Sequence, residues 1–296
     1  MNATLTSEAL ADAALSRRQR RIRKLDAVGL AFTILTVIGA ILWAFPMYWG
    51  LVTSLKPDAD VVKGSVVLYP APFTLDAYTH ALFATSMGRW YLNSLITAGA
   101  TTLIVVITAA GAGYAISQLH FPGRRLLWWM ILASFMVPIQ ALIITHFVLL
   151  SQFHLINTLA GVVGPQLIAP VTVIIYKQFF DSVPREMKEA AVVDGANEFQ
   201  LLFRIYLPMN WGITTALAII TFIAAWNNFL WPFLAVTSQD KMNITVGITQ
   251  VYDAFGVKYA RDLATAILAG LPVAIVYLIF QRRVTQAIML SAGIKG

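Results

Sequence analysis

The sequence predicts an all-α integral membrane protein with six transmembrane helices. Of its 296 residues, 58% are apolar and only 12% are charged, and the mean hydropathy is +0.72. This composition excludes a water-soluble core. A helix needs roughly 20 mostly apolar residues to cross about 30 Å of hydrocarbon. Six runs meet that requirement, over approximately residues 27–51, 92–117, 126–150, 158–175, 211–236 and 263–280.

The basic residues predict the orientation of these spans. If the N-terminus is cytoplasmic, 15 of the 21 Lys and Arg residues lie on the inner side, which then carries a net charge of +7 against zero outside. Because Lys and Arg accumulate in cytoplasmic segments, both termini are expected in the cytoplasm. Residues 1–25 form a basic arm, residues 26–290 the six-span domain, and residues 291–296 a short tail. The arm suits anionic lipid headgroups beside a first span better than nucleic acid.

Small residues in the second span predict a close helix crossing. Ala109, Gly111, Gly113 and Ala115 form overlapping pairs of small residues four positions apart. Such pairs allow another helix to approach closely where lipid supplies little hydrophobic drive.

Neutral polar residues inside the spans are the candidates for a substrate path. Trp226, Asn227 and Asn228 cluster in span five, and Gln140 in span three can face the same interior. Amide and indole groups suit a neutral ligand rich in hydroxyl groups, since amides donate and accept and an aromatic face packs on a sugar ring. Hydrogen bonding between helices is the alternative interpretation of the same residues.

Several kinds of chemistry are not expected of this chain. Cysteine is absent, and the four histidines have no metal-ligand spacing, so neither a metal site nor a catalytic residue is predicted. No Lys follows a Gly, so the phosphate-binding loop of an ATPase is missing. The six spans contain no Asp or Glu, which argues against an ion-coupled carrier.

The segment 181–209, between spans four and five, is charged enough to face water and predicts two short helices joined by a bend. Ser182 is expected to cap the first helix, with Pro184 in its first turn, and Gly195 to end it. Asn197 is expected to cap the second helix. Its apolar residues have the spacing of a single stripe, namely Phe199, Leu202, Phe203 and Tyr206.

This segment resembles the coupling loop of the membrane subunits of bacterial ABC importers. The resemblance rests on Glu189-Ala190-Ala191, Gly195 four residues later, and the ending Ile205-Tyr-Leu-Pro208. It extends through Trp90-Tyr-x-Asn-Ser94, Trp226-Asn-x-Phe-Leu-Trp-Pro232 and the final Ala292-Gly-Ile-Lys-Gly296. Together these motifs are similar to the smaller, maltose-type permease of the carbohydrate-uptake branch, which has the type I importer fold.

The resemblance implies a set of partners. It implies a heterodimer with a second homologous permease, two ATPase subunits that bind ATP and magnesium, and an extracytoplasmic solute-binding protein. A sugar or sugar derivative is the implied substrate, moved across the inner membrane by alternating access. The residues implied to contact the ATPase subunits are Glu189, Ala190, Ala191, Asp194, Gly195, Ala196 and Pro208, and in the tail Gly293, Lys295 and Gly296.

A permease for a non-sugar solute, an ion-coupled carrier and a membrane scaffold are the remaining alternatives. The last outer loop, Thr237 to Asp262, is long enough to contact an external partner, and the resemblance implies that it helps to release sugar from the binding protein.

Overall fold

A computed structural model describes the backbone of residues 3–62, 67–251 and 257–291, and the side chains of 28–62, 67–251 and 257–281. Helices account for all the regular secondary structure in these residues. In chain order they are α1 Ala3–Ser54, α2 Asp58–Val61, α3 Asp76–Phe83, α4 Met87–Gln118, α5 Arg124–Phe135, α6 Ile143–Gln152, α7 Leu159–Val163, α8 Pro170–Asp181, α9 Arg185–Val193, α10 Glu198–Leu201, α11 Leu207–Met209, α12 Trp211–Trp226, α13 Leu230–Ala235, α14 Ile244–Gly247 and α15 Tyr259–Ser291.

Three uninterrupted helical stretches are long and apolar enough to cross a membrane: residues Val28–Ser54 of α1, all of α4, and Tyr259–Gln281 of α15. The predicted arm is not separate from the first span, because α1 is helical from Ala3 onward. The sixth span also extends beyond its predicted bounds, since α15 continues to Ser291.

Spans three and four are each formed by two helical pieces joined at a bend. Span three breaks between α5 and the 3₁₀ turn Ile139–Leu142 that precedes α6, with a bend of 93°. Span four breaks between residues Leu159–Leu167 and α8, with a bend of 49°. Pro138 and Pro170 stand at the two breaks, where proline removes a backbone donor and drives the preceding residue out of helical geometry.

Span five is also shorter than predicted. Its regular helix α12 ends at Trp226, and residues 227–229 separate it from α13. At its other end, α12 follows residues Glu198–Met209 at an angle of 85°.

One set of helix ends lies around the C-terminus of α4 and is connected to it by hydrogen bonds. The Ser117 hydroxyl donates to Oδ1 of Asp181 at the end of α8, at 2.6 Å. Nη1 of Arg124, at the start of α5, donates to the Leu119 carbonyl at 2.8 Å. Since residues 185–209 follow α8 directly and lead into α12, they lie here as well. This is called the elbow end, and residues 185–209 are called the elbow.

A second set of hydrogen bonds gathers the opposite helix ends around the N-terminus of α4. The Asn93 amide donates to the Asp240 carbonyl at 2.9 Å, and Oδ1 of Asn157 accepts from the Ser238 backbone at 3.0 Å. Oδ1 of Asp58 accepts from the Ala260 backbone, where α15 begins, at 2.9 Å. This is called the loop end.

The two ends are well separated. From Asn93 to Gln118, α4 covers about 37 Å at 1.5 Å per residue. The chain passes between these ends six times, through α1, α4, α5–α6, α7–α8, α12 and α15. In the described residues, three single helices are long and apolar enough to cross a membrane, and the number rises to six if each bent pair counts as one span.

The two largest of the three buried clusters in the described residues lie one near each end of α4, and the third is a small one around Ala77, Ala260 and Ala264. The loop-end cluster includes Met87, Trp90, Trp226, Trp231 and Ile244. The elbow-end cluster is aromatic and is formed around Tyr114, Tyr176, Phe180, Leu201 and Tyr206. Each cluster joins segments that are distant in sequence. Since α4 contributes residues to both clusters, it links the two ends of the bundle.

The predicted close crossing of span two occurs at Gly113. A Cβ atom at this position would lie 2.7 Å from Cβ of Tyr176, so only glycine allows α8 to pack against α4 at this distance. Gly111, in contrast, has nothing within 4 Å of that position.

Candidate functional site

The first elbow helix, α9, begins directly after Pro184. Pro184 occupies the N-cap position with extended backbone and no side-chain cap. The predicted capping role of Ser182 is therefore wrong, and its hydroxyl donates instead to the Phe179 carbonyl at 2.7 Å, at the end of α8.

Gly195 ends α9 as predicted, in the left-handed conformation with φ +83°. The Gly195 N–H donates to the Val192 carbonyl at 3.0 Å, and the Ala196 N–H donates to the Ala191 carbonyl at 2.9 Å. This pair of bonds is a Schellman motif, which satisfies the free carbonyls of the helix end and reverses the chain.

Asn197 caps the second elbow helix as predicted. Its Oδ1 accepts from the Gln200 backbone at 2.9 Å, and the Gln200 side chain accepts from the Asn197 backbone at 2.9 Å. This reciprocal capping box fixes the start of α10, and its N-cap lies only two residues after Gly195. The bend between the two elbow helices is thus set by two consecutive local motifs, the Schellman motif at Gly195 and the capping box at Asn197.

The predicted single apolar stripe of the second elbow helix is wrong. Residues Leu202–Tyr206 form a π-helical turn, closed by a bond from the Leu207 N–H to the Leu202 carbonyl. The wider turn changes the phase of the side chains. Leu201, Leu202 and Tyr206 are buried in the elbow-end cluster, whereas Phe199 and Phe203 are 77% and 51% exposed.

The elbow consequently has two apolar faces. The inner face packs on α4 and α8, where the Tyr206 ring lies 5.1 Å from that of Tyr114 and 5.6 Å from that of Phe180, both edge-on. The outer face is open and contains Val193, which is 87% exposed. We define the docking face by its exposed residues, namely Met187, Glu189, Val192, Val193, Asp194, Gly195, Phe199 and Phe203.

Among the other residues that the sequence assigns to the elbow, Ala190 and Pro208 are exposed. Ala191 and Ala196 are half-buried against the elbow-end cluster. Ala190 and Pro208 therefore lie on the open side of the elbow, and Ala191 and Ala196 lie on its packed side.

The predicted substrate-path residues of span five lie in different environments. Trp226 is 3% exposed, and its indole N–H donates to the Ala269 carbonyl of α15 at 3.2 Å. Asn227, at the end of α12, is exposed. Asn228 is half-buried, and its backbone carbonyl accepts from Nδ2 of Asn243 at 3.2 Å and from the Thr245 hydroxyl at 2.8 Å.

Gln140 lies in the 3₁₀ turn at the break of span three and is exposed. Irregular backbone at membrane depth requires protein or water around it rather than lipid. A cavity of about 220 Å³ lies beside the two breaks, and its lining includes Thr108, Ser134, Ile168 and Pro170.

The loop end contains an assembly that sequence patterns did not identify. Residues 237–251 are held on α4 by Trp90, whose indole N–H donates to the Gln239 carbonyl at 2.9 Å, and by Asn93. The Ser94 hydroxyl oxygen accepts from the Ile244 backbone at 2.7 Å. The signal was present in Trp90-Tyr-x-Asn-Ser94, a polar opening to an apolar span. Residues 252–256 lie outside the described residues.

One exposed carboxylate at this end is electrostatically defined. The Ser238 hydroxyl donates to Oδ1 of Asp240. This hydrogen bond is the main reason that the pKa of the Asp240 carboxyl lies below its usual value. Lys241 and Arg89 act in the same direction. Asp240 is therefore ionised at neutral pH.

The predicted tail contacts cannot be placed against the elbow, since Gly293, Lys295 and Gly296 lie outside the described residues.

A solved structure shares this fold. The chain is similar to one chain of a bacterial ABC transporter involved in the import of the acidic polysaccharide alginate, with a TM-score of 0.79, 22% identity, and coverage of 88% of this chain and 97% of that chain. The same kind of transporter in complex with an alginate pentasaccharide-bound periplasmic protein gives a TM-score of 0.62 at 17% identity. The fold is that of the type I ABC importer permeases, the membrane subunits of such transporters.

The family follows from the sequence comparison. Residues 102–289 match the model of the binding-protein-dependent transport system inner membrane component. The chain belongs to this family, because the match covers more than half of its length.

The similar proteins have diverse substrates in their names. An arabinooligosaccharides transport system permease protein of Bacillus subtilis is 29% identical, over 90% of this chain and 96% of that protein. A diacetylchitobiose uptake system permease protein of Streptomyces coelicolor is 31% identical over 86% and 85%. An sn-glycerol-3-phosphate transport system permease protein of Yersinia pestis is 31% identical over 84% and 92%.

Proposed function

We propose that this chain is one permease subunit of an ATP-driven importer, which moves a sugar or sugar derivative across the inner membrane by alternating access. The observation that carries this proposal is the two-faced elbow. Its inner face is packed into the bundle, and its outer face presents apolar and acidic side chains to a partner. Such a segment can pass rigid-body motion from one subunit to another.

The docking face has the composition of a protein contact. Phe199 and Val193 are large apolar residues that are more than three-quarters exposed, and Val193 precedes Asp194 in the chain and lies one helical turn from Glu189. Exposed apolar residues grouped with charges favour association with another protein. In this proposal two separate ATPase subunits bind ATP and magnesium, and one of them docks on this face with Glu189 as the polar anchor. The tail residues Gly293, Lys295 and Gly296 are proposed to contact the same partners.

The orientation follows from charge. In the described residues, the elbow end has one more basic than acidic side chain, and the arm at the N-terminus adds a dense basic cluster to that side. The positive side of a membrane protein is cytoplasmic. The loop end then faces outward, where residues 237–251 are proposed to meet an extracytoplasmic binding protein.

The substrate class is supported by the relatives, whose names include two oligosaccharide systems and one phosphorylated polyol system. Within this chain, the exposed amides of Asn227 and Gln140 are the proposed polar contacts of the path. Trp226 and Asn228 are proposed to shape the path rather than to line it, because the Trp226 indole and the Asn228 carbonyl already bind within the chain. A second homologous permease is proposed to complete the path.

Val193→Asp tests the docking face. Val193 is 87% exposed, so the substitution leaves the bundle intact and places a charge in the proposed contact. Val62→Asp is the matched control, because Val62 is 68% exposed at the loop end. The tagged wild-type and Val62→Asp chains are expected to copurify from native membranes with ATPase, second permease and binding-protein chains. Val193→Asp is expected to lose the ATPase chains.

Thermal-shift screening of the copurified binding protein against arabinooligosaccharide, diacetylchitobiose and glycerol 3-phosphate tests the substrate class. Stabilisation by one of these or by a related sugar supports the assignment. Stabilisation only by a non-sugar solute contradicts the carbohydrate part, and wild-type recovery of ATPase chains with Val193→Asp contradicts the docking face.

A further inference from the structure

Five polar and aromatic side chains connect the elbow to the end of α4: Tyr114, Gln118, Lys188, Glu198 and Tyr206. They are called the clasp. The Tyr114 hydroxyl donates to the Glu198 carboxylate, and the Tyr206 hydroxyl donates to the side-chain oxygen of Gln118 at 2.8 Å. Nζ of Lys188 donates to the Gln118 backbone carbonyl at 3.0 Å and lies 3.9 Å from Oε2 of Glu198.

The clasp joins segments that are far apart in the chain. The elbow is covalently continuous with α8 and α12, but α4 precedes it by more than sixty residues. A displacement of the elbow therefore reaches α4 only through noncovalent contacts. Packed aromatic rings resist compression, whereas directional hydrogen bonds also oppose sliding and rotation.

Lys188 has a particular place in this arrangement. The Gln118 carbonyl belongs to the last turn of α4, whose carbonyls have no partner within the helix. An ammonium group at this position satisfies one carbonyl and interacts favourably with the negative end of the helix. Its side chain also lies over the Tyr114 ring, with Nζ 5.9 Å from the ring centre.

The helix on which the clasp acts is suited to carry motion. Among the three uninterrupted spanning helices of the described chain, α1 contains Pro46 and α15 contains Pro272, while α4 has no internal proline. At its other end, α4 holds residues 237–251 through Trp90, Asn93 and Ser94. A rigid helix thus connects the elbow directly to the loop end.

We propose that Tyr114 and Glu198 are positioning residues that fasten the elbow to α4, so that elbow movement is carried along α4 to the loop end. This inference rests on the proposed function, since it takes the elbow as the place where ATPase motion enters. It separates two acidic residues of the elbow by role: Glu189 lies on the docking face, whereas the half-exposed Glu198 carboxylate bonds to Tyr114 of α4.

The test measures communication between the two ends in the assembled transporter. The purified complex is reconstituted in lipid nanodiscs, and ATP hydrolysis is measured with and without the copurified binding protein, which acts at the opposite end. Tyr114→Phe removes only a hydroxyl group, and Glu198→Ala removes the carboxylate. Each is expected to reduce the stimulation by binding protein at least fivefold, with basal hydrolysis within twofold of wild type.

The matched controls remove similar groups outside the clasp. Thr102→Val deletes a hydroxyl on α4 that bonds within its own helix, to the Ala98 carbonyl. Glu186→Gln removes an exposed carboxylate from α9. Both are expected to keep the stimulation within twofold of wild type. Glu198→Gln keeps an acceptor oxygen for Tyr114 and is expected to retain at least half of the wild-type stimulation by binding protein.

A double variant separates a specific contact from general damage to the fold. If Tyr114 and Glu198 act through one bond, Tyr114→Phe with Glu198→Ala is no worse than Glu198→Ala alone. The clasp proposal is overturned if the losses of stimulation in the two single variants multiply in the double variant. It is also overturned if stimulation is unchanged in both single variants. Failure of wild-type chain to copurify with ATPase subunits would instead overturn the proposed function, and with it the basis of the clasp.

Discussion

At the residue scale, the geometry of the elbow depends on a few positions whose backbone chemistry is specific. Gly195 adopts φ +83° inside a Schellman motif, and Asn197 caps the next helix two residues later. A side chain at Gly195 would meet open space, so the constraint there is backbone strain and not crowding. The elbow bend is therefore encoded locally.

Gly195→Val is expected to distort this bend. A left-handed conformation costs L-residues roughly 1–2 kcal/mol, and a β-branched side chain adds to that cost. ATP-driven uptake by the reconstituted transporter should fall at least tenfold while the amount of inserted chain stays normal. Gly29→Val, in α1 with open space around it, is the control and should transport normally. Uptake at the wild-type rate by Gly195→Val would show that the bend is not required.

At the element scale, proline determines where the helices are interrupted or need support. Pro138 and Pro170 break spans three and four, whereas Pro272 is accommodated inside α15. Pro272 has no N–H for the Leu268 carbonyl, four residues earlier. The Tyr91 hydroxyl of α4 donates to this Leu268 carbonyl, and the Trp226 indole donates to the Ala269 carbonyl. Two neighbouring helices thus support α15 at its proline.

Tyr91→Phe is expected to destabilise the bundle, because it leaves the Leu268 carbonyl without this donor. The expected loss in the free energy of unfolding is about 0.6–2 kcal/mol, the range for hydrogen bonds between membrane helices. Titration with SDS in mixed micelles measures it. Tyr277→Phe, which removes a hydroxyl from an exposed tyrosine of α15, should leave the titration midpoint unchanged. Equal midpoints for Tyr91→Phe and wild type would contradict the supporting role.

At the scale of the whole molecule, the elbow and the loop end lie at opposite ends of α4, about 37 Å apart along the helix. This distance is sufficient to cross the hydrocarbon layer. The two candidate partner surfaces of this chain, the docking face and residues 237–251, are consequently on opposite sides of the bundle. Communication between them requires movement of the bundle itself.

Single cysteines in the naturally cysteine-free chain test this separation. Val193→Cys and Lys241→Cys are each expressed without the partner subunits and treated with an impermeant thiol reagent. Val193→Cys should react only in inside-out vesicles, and Lys241→Cys only in right-side-out vesicles. Reaction of both positions from the same side would contradict the six-pass topology and the proposed orientation.

The sequence by itself determined the membrane class, the approximate positions of six apolar passes, the Gly195 stop and the Asn197 cap. These features depend on composition, on run length and on interactions within a few residues, all of which are local properties of the chain. Its resemblance to importer permeases was also local in origin, and the family match confirmed it.

Only the tertiary structure decided which faces of those elements are covered. The π turn at Leu202–Tyr206 places Tyr206 in the core and leaves Phe203 exposed. The resulting packing brings Glu198 to Tyr114, which is 84 residues away in the sequence. Proline alone does not specify a break either, since spans three and four break at Pro138 and Pro170 while Pro46 and Pro272 lie inside helices. Burial and pairing of this kind depend on contacts between segments that are distant in sequence, and a pattern of neighbouring residues does not specify them.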